Sequence, residues 1–350
     1  MDCELVACLS TARGDGGHEK GGSLNSRAHG GRTRSGGFSL NVFTPDEFKD
    51  VHLATLEVLE HTGVFTDDPE ALDTFGAAGA SVNGSTGVVK IPPHIVEAAI
   101  DSAPERVLLA GRDPKDDVML DPGRVGFTTF GEGIQIADLE TGEWRAPTKQ
   151  DVADTARLAD FLDEIDTYEI AVGAKDAPTA TSTIHSYEAA LCNTTKHVCS
   201  GPLSRWEAET IFDMAAAVVG GREALRRRPI LMTGVCPVSP LKLPRDCSEV
   251  IIASAKAGVP SQILSMAMSG GSAPVGLAGT LVVHNAEVLA GITLAQLTRV
   301  GTPVIYGSST TAMDLRLAAA AVGSPECGIL SAGVTFLARQ YRLPSYVAGL

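Results

Sequence analysis

Ser261-Gln-Ile-Leu-Ser-Met-Ala-Met-Ser269, then Gly-Gly-Ser-Ala-Pro274, the apolar run Leu277–Thr298, and Gly301-Thr-Pro-Val-Ile-Tyr-Gly307 follow one another without interruption. They read as strand, small-residue loop, long helix and strand, which is one complete strand–helix–strand unit. The same pattern repeats on both sides of it. Strand-like runs begin near Ile165, His197, Ile230, Ser261, Pro303 and Leu343, spaced 31 to 42 residues apart. A helix fits each gap: Ser182–Asn193, Arg205–Val219, Arg245–Ala257, Leu277–Thr298 and Pro325–Tyr341. Such a series predicts parallel strands joined by right-handed crossovers. No strand leads into a Gly-x-Gly-x-x-Gly turn, and several strands end in small-residue loops such as Gly307-Ser-Ser-Thr-Thr311. A barrel with its ligand groups spread over many strand ends fits this better than an open doubly wound sheet with one switch point.

The fold class is therefore α/β, a (β/α)8 TIM-type barrel, with residues 148–350 supplying five strand–helix units and a sixth strand. Eight strands close such a barrel, so the sequence reads as a barrel truncated after strand six, short of closure by roughly a hundred residues. Upstream, residues 38–147 read as an α+β cap. Thr44-Pro45-Asp46-Glu47 is a helix start, and Phe48, Val51, Leu53, Leu56, Val58 and Leu59 carry a roughly helical spacing as far as Gly63. A helix over Pro69–Ala78 follows, then a hairpin over 81–91 with Asn83-Gly84 as its turn, a short helix from Pro92-Pro93, and strands near 107–110, 125–130 and 134–138 with a turn at Glu140-Thr-Gly142. Residues 1–37 are rich in Gly, Ser and Arg over 14–37 and are expected to be disordered.

Composition narrows the function. The formal charge of −14 over 350 residues repels phosphate backbones and anionic membranes, so neither nucleic acid nor a lipid surface is an expected partner. Seven cysteines at irregular spacing do not make a secreted disulfide framework, and a reducing cytoplasm is expected. The longest apolar stretch, Leu277–Leu297, is interrupted by His284, Asn285 and Glu287, and the N-terminus carries no signal-peptide core. A symmetric homo-oligomer is the expected assembly.

Several stretches carry a resemblance. Asn193-Thr-Thr-Lys-His197, Ser272-Ala-Pro-Val275, Leu277-Ala-Gly-Thr-Leu281, Asn285-Ala-Glu-Val-Leu-Ala-Gly291, Leu294-Ala-Gln-Leu297, Gly301-Thr-Pro-Val-Ile-Tyr-Gly307, Gly323-Ser-Pro-Glu326 and Leu343-Pro-Ser345 together resemble the trimethylamine methyltransferase family, from about Phe43 to Leu350. The resemblance implies a TIM-type barrel behind an N-terminal extension. It also implies transfer of a methyl group from trimethylamine to the Co(I) of a separate corrinoid protein, in methylamine catabolism or methanogenesis. No corrinoid-binding sequence is evident in this chain, so the corrinoid cofactor is expected on that partner. The resemblance further implies a pyrrolysine just after strand six, which sets the expectation of that residue directly after Leu350 and of residues 1–350 as an inactive truncated fragment when alone. The alternative within the resemblance is a pyrrolysine-free member that demethylates a quaternary amine such as glycine betaine.

Barrel geometry names the other candidates, because catalytic groups sit at the C-terminal ends of the strands. Tyr306, with Ser308 beyond it, closes strand five, and its phenol can donate a hydrogen bond or face an alkylammonium. Asp314 and Glu326 lie in and after the following loop as candidate acids, against the plainer readings of an acid beside Arg316 and a helix start. His185 and Tyr187 begin the first barrel helix, Met266 and Met268 can wall a methyl pocket, and Tyr346 lies on strand six. Glu287 and Asn285 read as structural, and Asn193–His197 as a loop at the opposite end. A zinc site from His197, Cys199, Cys236 and Cys327 is the competing chemistry, set back because His197 starts its strand and Cys236 comes late in the next.

Overall fold

The computed structural model describes residues 32–33, 43–131 and 133–348. The segment expected to be disordered, 1–37, lies outside them except for Arg32–Thr33, which pairs antiparallel with Arg124–Val125.

The cap begins at α1, Pro45–Glu57, where Thr44 and Glu47 form a reciprocal capping box. The helix runs on through a π-helical turn, Val58–Thr62, and stops at Gly63. That glycine has φ +80°, and a side chain there would strike the carbonyl oxygen of Val89. Next come α2, Pro69–Ala77, and a hairpin of β1, Ser81–Asn83, and β2, Val88–Lys90. Its turn is longer than the two-residue Asn-Gly expectation. Asn83 Oδ1 accepts from the backbone of Ser85 and Thr86, and Gly87, at φ +71°, supplies the left-handed residue. Helix α3, Pro93–Ser102, and a second hairpin of β3, Val107–Leu109, and β4, Val118–Leu120, complete the cap core. The strand expected over 125–130 does not form. Only Val125 joins a ladder, and the residues after it run along the first barrel strand.

The barrel part opens with a helix the sequence reading did not place, α4, Lys149–Phe161, capped by Thr148 and Asp151. Then follow β5 (Thr167–Glu169), α5 (Ser182–Asn193), β6 (His197–Ser200), α6 (Arg205–Val219), β7 (Leu231–Val235), α7 (Arg245–Ala257), β8 (Ser261–Ser265), α8 (Leu277–Thr298), β9 (Val304–Ser308), α9 (Pro325–Gln340) and β10 (Ser345–Val347). The six strands pair in that order, all parallel. An order without reversal has no switch point, so the helices all pack on one face. Helices end where the chain needs a left-handed residue, at Gly220 after α6 and Gly258 after α7.

The sheet curls. Laid flat, its first and last strands would stand roughly 24 Å apart at ordinary strand spacing. Instead the Tyr346 hydroxyl on β10 hydrogen-bonds the Glu169 carboxylate on β5. The outer face of the sheet packs on the helices as the main core. Tyr168 reaches Thr155 of α4, Thr233 reaches Ser254 of α7, and Ser265 reaches Glu287 of α8. The inner face holds a second, small core of Cys199, Met232 and Ile305, closed from below by Val107, Leu109 and Val118 of the cap hairpin. The architecture is thus a curled parallel half-barrel, a partial TIM-type barrel, stoppered at one end by the cap. Helix α8 is apolar and long enough to cross a membrane, but 72% of its most hydrophobic window is buried inside the protein, so it serves as the core helix.

Candidate active site

Side chains alternate along a strand, so each barrel strand sends every second residue inward. The inward set is Glu169 from β5, Cys199 from β6, Met232 from β7, Gln262 from β8, Ile305 from β9 and Tyr346 from β10. Glu169 is the last residue of its strand, at the end where a barrel of this type carries its chemistry. Its Oε2 accepts a hydrogen bond from the Tyr346 hydroxyl. Burial pushes the Tyr346 phenol well above its ordinary pKa, and the neighbouring Glu169 charge pushes it further. Tyr346 therefore stays a neutral donor across the physiological range.

Beside this pair, Cys199 Sγ lies 3.6 Å from Gln262 Oε1. Gln262 is 1% exposed, and its Nε2 has no hydrogen-bond partner among the described residues. A buried amide with an unmade donor costs about 1–3 kcal/mol, so this group is poised for an acceptor that enters the interior. A cavity of about 210 Å³ touches Tyr346 but not Glu169, Cys199 or Gln262, and Thr128, Phe127, Thr167, Arg124 and Arg339 also line it. The arrangement combines an anionic acceptor, a neutral phenol with its ring, a thiol and an unpaired amide donor. It can hold a small cation against the carboxylate and place its apolar groups against the aromatic ring and Met232.

Of the residues named from sequence, Tyr346 is brought into this group. Tyr306 and Ser308 are not, and they correct the reading of strand five. Both point outward, toward the helices. Tyr306 is fully buried, donates to Asn285 Oδ1 at 2.7 Å and packs edge-on against His284. Ser308 is also buried and accepts from the backbone of Thr310. Asp314 closes a turn by accepting from the backbone of Arg316 and Leu317, outside the barrel interior. Glu326 is exposed in the first turn of α9, where Ser324 makes the cap. His185 sits at the outer rim between α4 and α5, near Lys149 and Glu188. Tyr187 is buried and donates to the carbonyls of Ser200 and Met232, which makes it a strand support. Met266 is 50% exposed on the loop after β8, and Met268 pairs in a small accessory sheet. His197 Nδ1 contacts the Ala110 carbonyl under the barrel, while Cys236 is exposed past the far end of β7.

Glu169 and Gln262 were missed. Glu169 ends the acidic run Asp163-Glu-Ile-Asp-Thr-Tyr-Glu169, where no single carboxylate stands out. Gln262 did carry a signal: a lone amide inside the otherwise apolar or small strand Ser261–Ser265 must find a partner or await one.

The family model described as trimethylamine methyltransferase (MTTB) matches residues 16–350. The chain is 47% identical over 326 residues to trimethylamine methyltransferase MttB of Desulfitobacterium hafniense, covering 93% of this chain and 66% of that protein. It is 46% identical over 318 residues to MttB of Methanosarcina barkeri, covering 89% and 64%. The glycine betaine methyltransferase of Desulfitobacterium hafniense is 31% identical over 313 residues, covering 88% and 64%. The chain thus spans about two thirds of the length of these relatives. Among solved structures, the monomethylamine methyltransferase of Methanosarcina barkeri aligns with a TM-score of 0.51 at 15% identity, over 87% of this chain and 66% of that one. That likeness is one of fold.

Proposed function

The chain belongs to the trimethylamine methyltransferase family, and from that premise we propose that it takes part in moving a methyl group from trimethylamine to the Co(I) of a corrinoid protein. What supports this reading beyond the family is the convergence of Glu169, Tyr346 and the unpaired Gln262 amide inside the half-barrel. At neutral pH trimethylamine is a cation with one N–H donor and three methyl groups. Glu169 accepts that N–H, and the Tyr346 ring lies against the methyls. When the carboxylate receives that proton, the amine becomes neutral with a free lone pair, and that lone pair must bond to an electrophile before the nitrogen is positive again. The methyl leaves as the C–N bond breaks and its electron pair returns to nitrogen. That step requires a nitrogen with a positive charge, held oriented and away from water.

The corrinoid, carried on a separate partner protein, supplies the Co(I) nucleophile. The reading also carries over from the family a pyrrolysine following strand six, whose ring imine makes the amine quaternary, and a cytoplasmic, oligomeric enzyme. The codon that follows Leu350 in the gene decides the pyrrolysine part directly.

The test is transfer of a labelled methyl group to a reduced corrinoid protein by the full-length gene product. Trimethylamine is expected to serve and glycine betaine not. Glu169→Gln and Tyr346→Phe should each lower kcat/KM by about 10- to 100-fold, as loss of a hydrogen bond to a charged group predicts. Transfer from glycine betaine instead would favour the function named for the 31%-identical relative. Turnover unchanged in both variants would remove the interior pair from the chemistry.

A further inference from the structure

We infer that Gly131, in the N-terminal cap, is a positioning residue for the Glu169 carboxylate. The inference deepens the reading above and rests on Glu169 being the anchor for the amine.

The cap residues from Gly126 onward lie along the free edge of β5, in the parallel sense. Phe127 O accepts from Asp166 N at 2.8 Å, and Phe127 N donates to Asp166 Oδ2 at 2.7 Å. Thr129 Oγ1 donates to Glu169 O at 2.5 Å, and Gly133 N donates to Ala171 O at 2.6 Å. Bridges Thr128 to Thr167 and Gly133 to Val172 keep the same direction. This strap is seated on the strand that carries Glu169, and Thr128 stands beside the Tyr346 hydroxyl.

The strap lies closer than side chains allow. A Cβ on Gly131 would stand 2.9 Å from Glu169 Cγ, 3.1 Å from Glu169 Oε1 and 2.9 Å from Ile170 O. A Cβ on Gly126 would stand 2.9 Å from Asp166 Oδ2. Neither glycine has positive φ, so backbone conformation does not require them. What requires glycine at 131 is contact with the carboxylate itself. The backbone of Gly131 lies against Glu169 near its Oε1, while Oε2 meets Tyr346. That close backbone limits the rotamers open to the half-buried carboxylate. A side chain at 131 has two ways out: it lifts the strap from Ile170 O, or it turns the carboxylate away from Tyr346. Both loosen the anchor.

The experiment measures trimethylammonium binding by calorimetry and phenol ionisation by ultraviolet titration, on the full-length protein. Gly131→Ala is expected to weaken binding by about 10-fold or more, the scale of a lost hydrogen bond to a charge. It is also expected to move the Tyr346 ionisation to lower pH, because the carboxylate no longer holds the phenol proton. Because burial is the larger cause of the raised phenol pKa, the melting temperature must stay unchanged alongside, so that the shift reports the carboxylate and not a loosened fold. Gly84→Ala, in an open hairpin turn with nothing within 4 Å of the added carbon, should change neither readout. If Gly131→Ala fails to fold, Glu169→Asp takes its place. It withdraws the carboxylate from Gly131 by one methylene, and the titration should shift in the same direction. Wild-type binding and titration in Gly131→Ala, or in Glu169→Asp where that variant stands in, overturn the inference. If Glu169→Gln also binds as wild type, the reading of Glu169 falls as well. If Glu169→Gln alone loses binding, that reading stands and only the role of Gly131 is lost.

Discussion

His284 is an imidazole with no access to water. It is 0% exposed, its Nδ1 lies 3.0 Å from the Thr310 hydroxyl, its ring meets Tyr306, and its Nε2 has no partner among the described residues. Burial alone depresses its pKa to about 3. His197, equally buried, is depressed to about 4. The sign of the stability effect follows from proton counting. Below the ordinary histidine pKa the unfolded chain takes up protons that the folded chain refuses, so stability is full above about pH 6.5 and falls as pH drops toward the folded values. The slope is at most about 1.4 kcal/mol per pH unit for each histidine. Urea unfolding of the wild type should therefore show a midpoint that falls between about pH 6.5 and about pH 4, and His284→Leu should flatten that fall. An unchanged slope in the variant would mean that His284 is protonated in the folded state.

Parity explains why Tyr306 was legible as a strand residue and illegible as a site residue. Val304–Ser308 is buried on both faces, so it carries no alternation from which to read which side chain looks inward. Tyr346, paired one step along from Tyr306's partner Ser345, falls on the opposite face.

At the scale of elements, helix α8 organises the barrel part through its polar residues. Glu287 is 1% exposed and accepts from Ser239 Oγ at 2.8 Å, Leu241 N at 2.8 Å and Ser265 Oγ at 2.6 Å. Burial raises its pKa against the opposing pull of these three donors. One carboxylate thus fixes both the end of β8 and the loop after β7, where Leu241 is held at φ +57°. Glu287→Ala leaves three donors unmade, the Ser265 hydroxyl fully buried and the other two half-buried, and should cost about 3 kcal/mol of stability, seen as a lower melting temperature. An effect under about 1 kcal/mol would mean that water replaces the carboxylate.

Elements were also the most readable scale. The limits of α5, α6 and α7 could be taken from sequence because Thr, Ser, Pro or Gly stands at each end, such as Ser204 and Gly220 around α6. Helix α4 escaped despite its capping box. It precedes the first strand, so no strand–helix alternation announces it, and its apolar residues Leu158 and Phe161 stay exposed. The strap along β5 escaped for a related reason. Only Arg124–Val125 of that stretch pairs in a ladder with another strand, and its remaining bonds go to single groups on and beside β5, one of them the Asp166 carboxylate, that no local pattern encodes.

At the scale of the whole molecule, cap and half-barrel are joined through the core. Asn285 of α8 donates to Thr55 Oγ1 of α1 at 2.9 Å and to the Tyr341 hydroxyl at 2.8 Å, while its Oδ1 takes the Tyr306 hydroxyl of β9. One buried amide ties a cap helix, the core helix, the end of α9 and a barrel strand. Backbone bonds between Phe65 and both Leu241 and Leu243 bind the cap to the loop after β7. At the surface, Glu70 of α2 pairs with Arg205 of α6 and Lys256 of α7. The hydrophobic core is likewise continuous, with Val51 and Phe75 of the cap in the same cluster as Val288 and Tyr306. These ties make the cap a part of the barrel's stability. Calorimetry should show one cooperative transition. Asn285→Leu removes three hydrogen bonds and leaves the buried Tyr306 hydroxyl without its acceptor, while Thr55 keeps Val51 O and Tyr341 keeps His52, and so should cost about 2–4 kcal/mol. Because the lost bonds span both parts, the single transition should move down as a whole. A separate cap transition at lower temperature would show instead that the strap rests on β5 without sharing the barrel's cooperativity. In that case the Glu169 anchor would loosen well before the barrel unfolds.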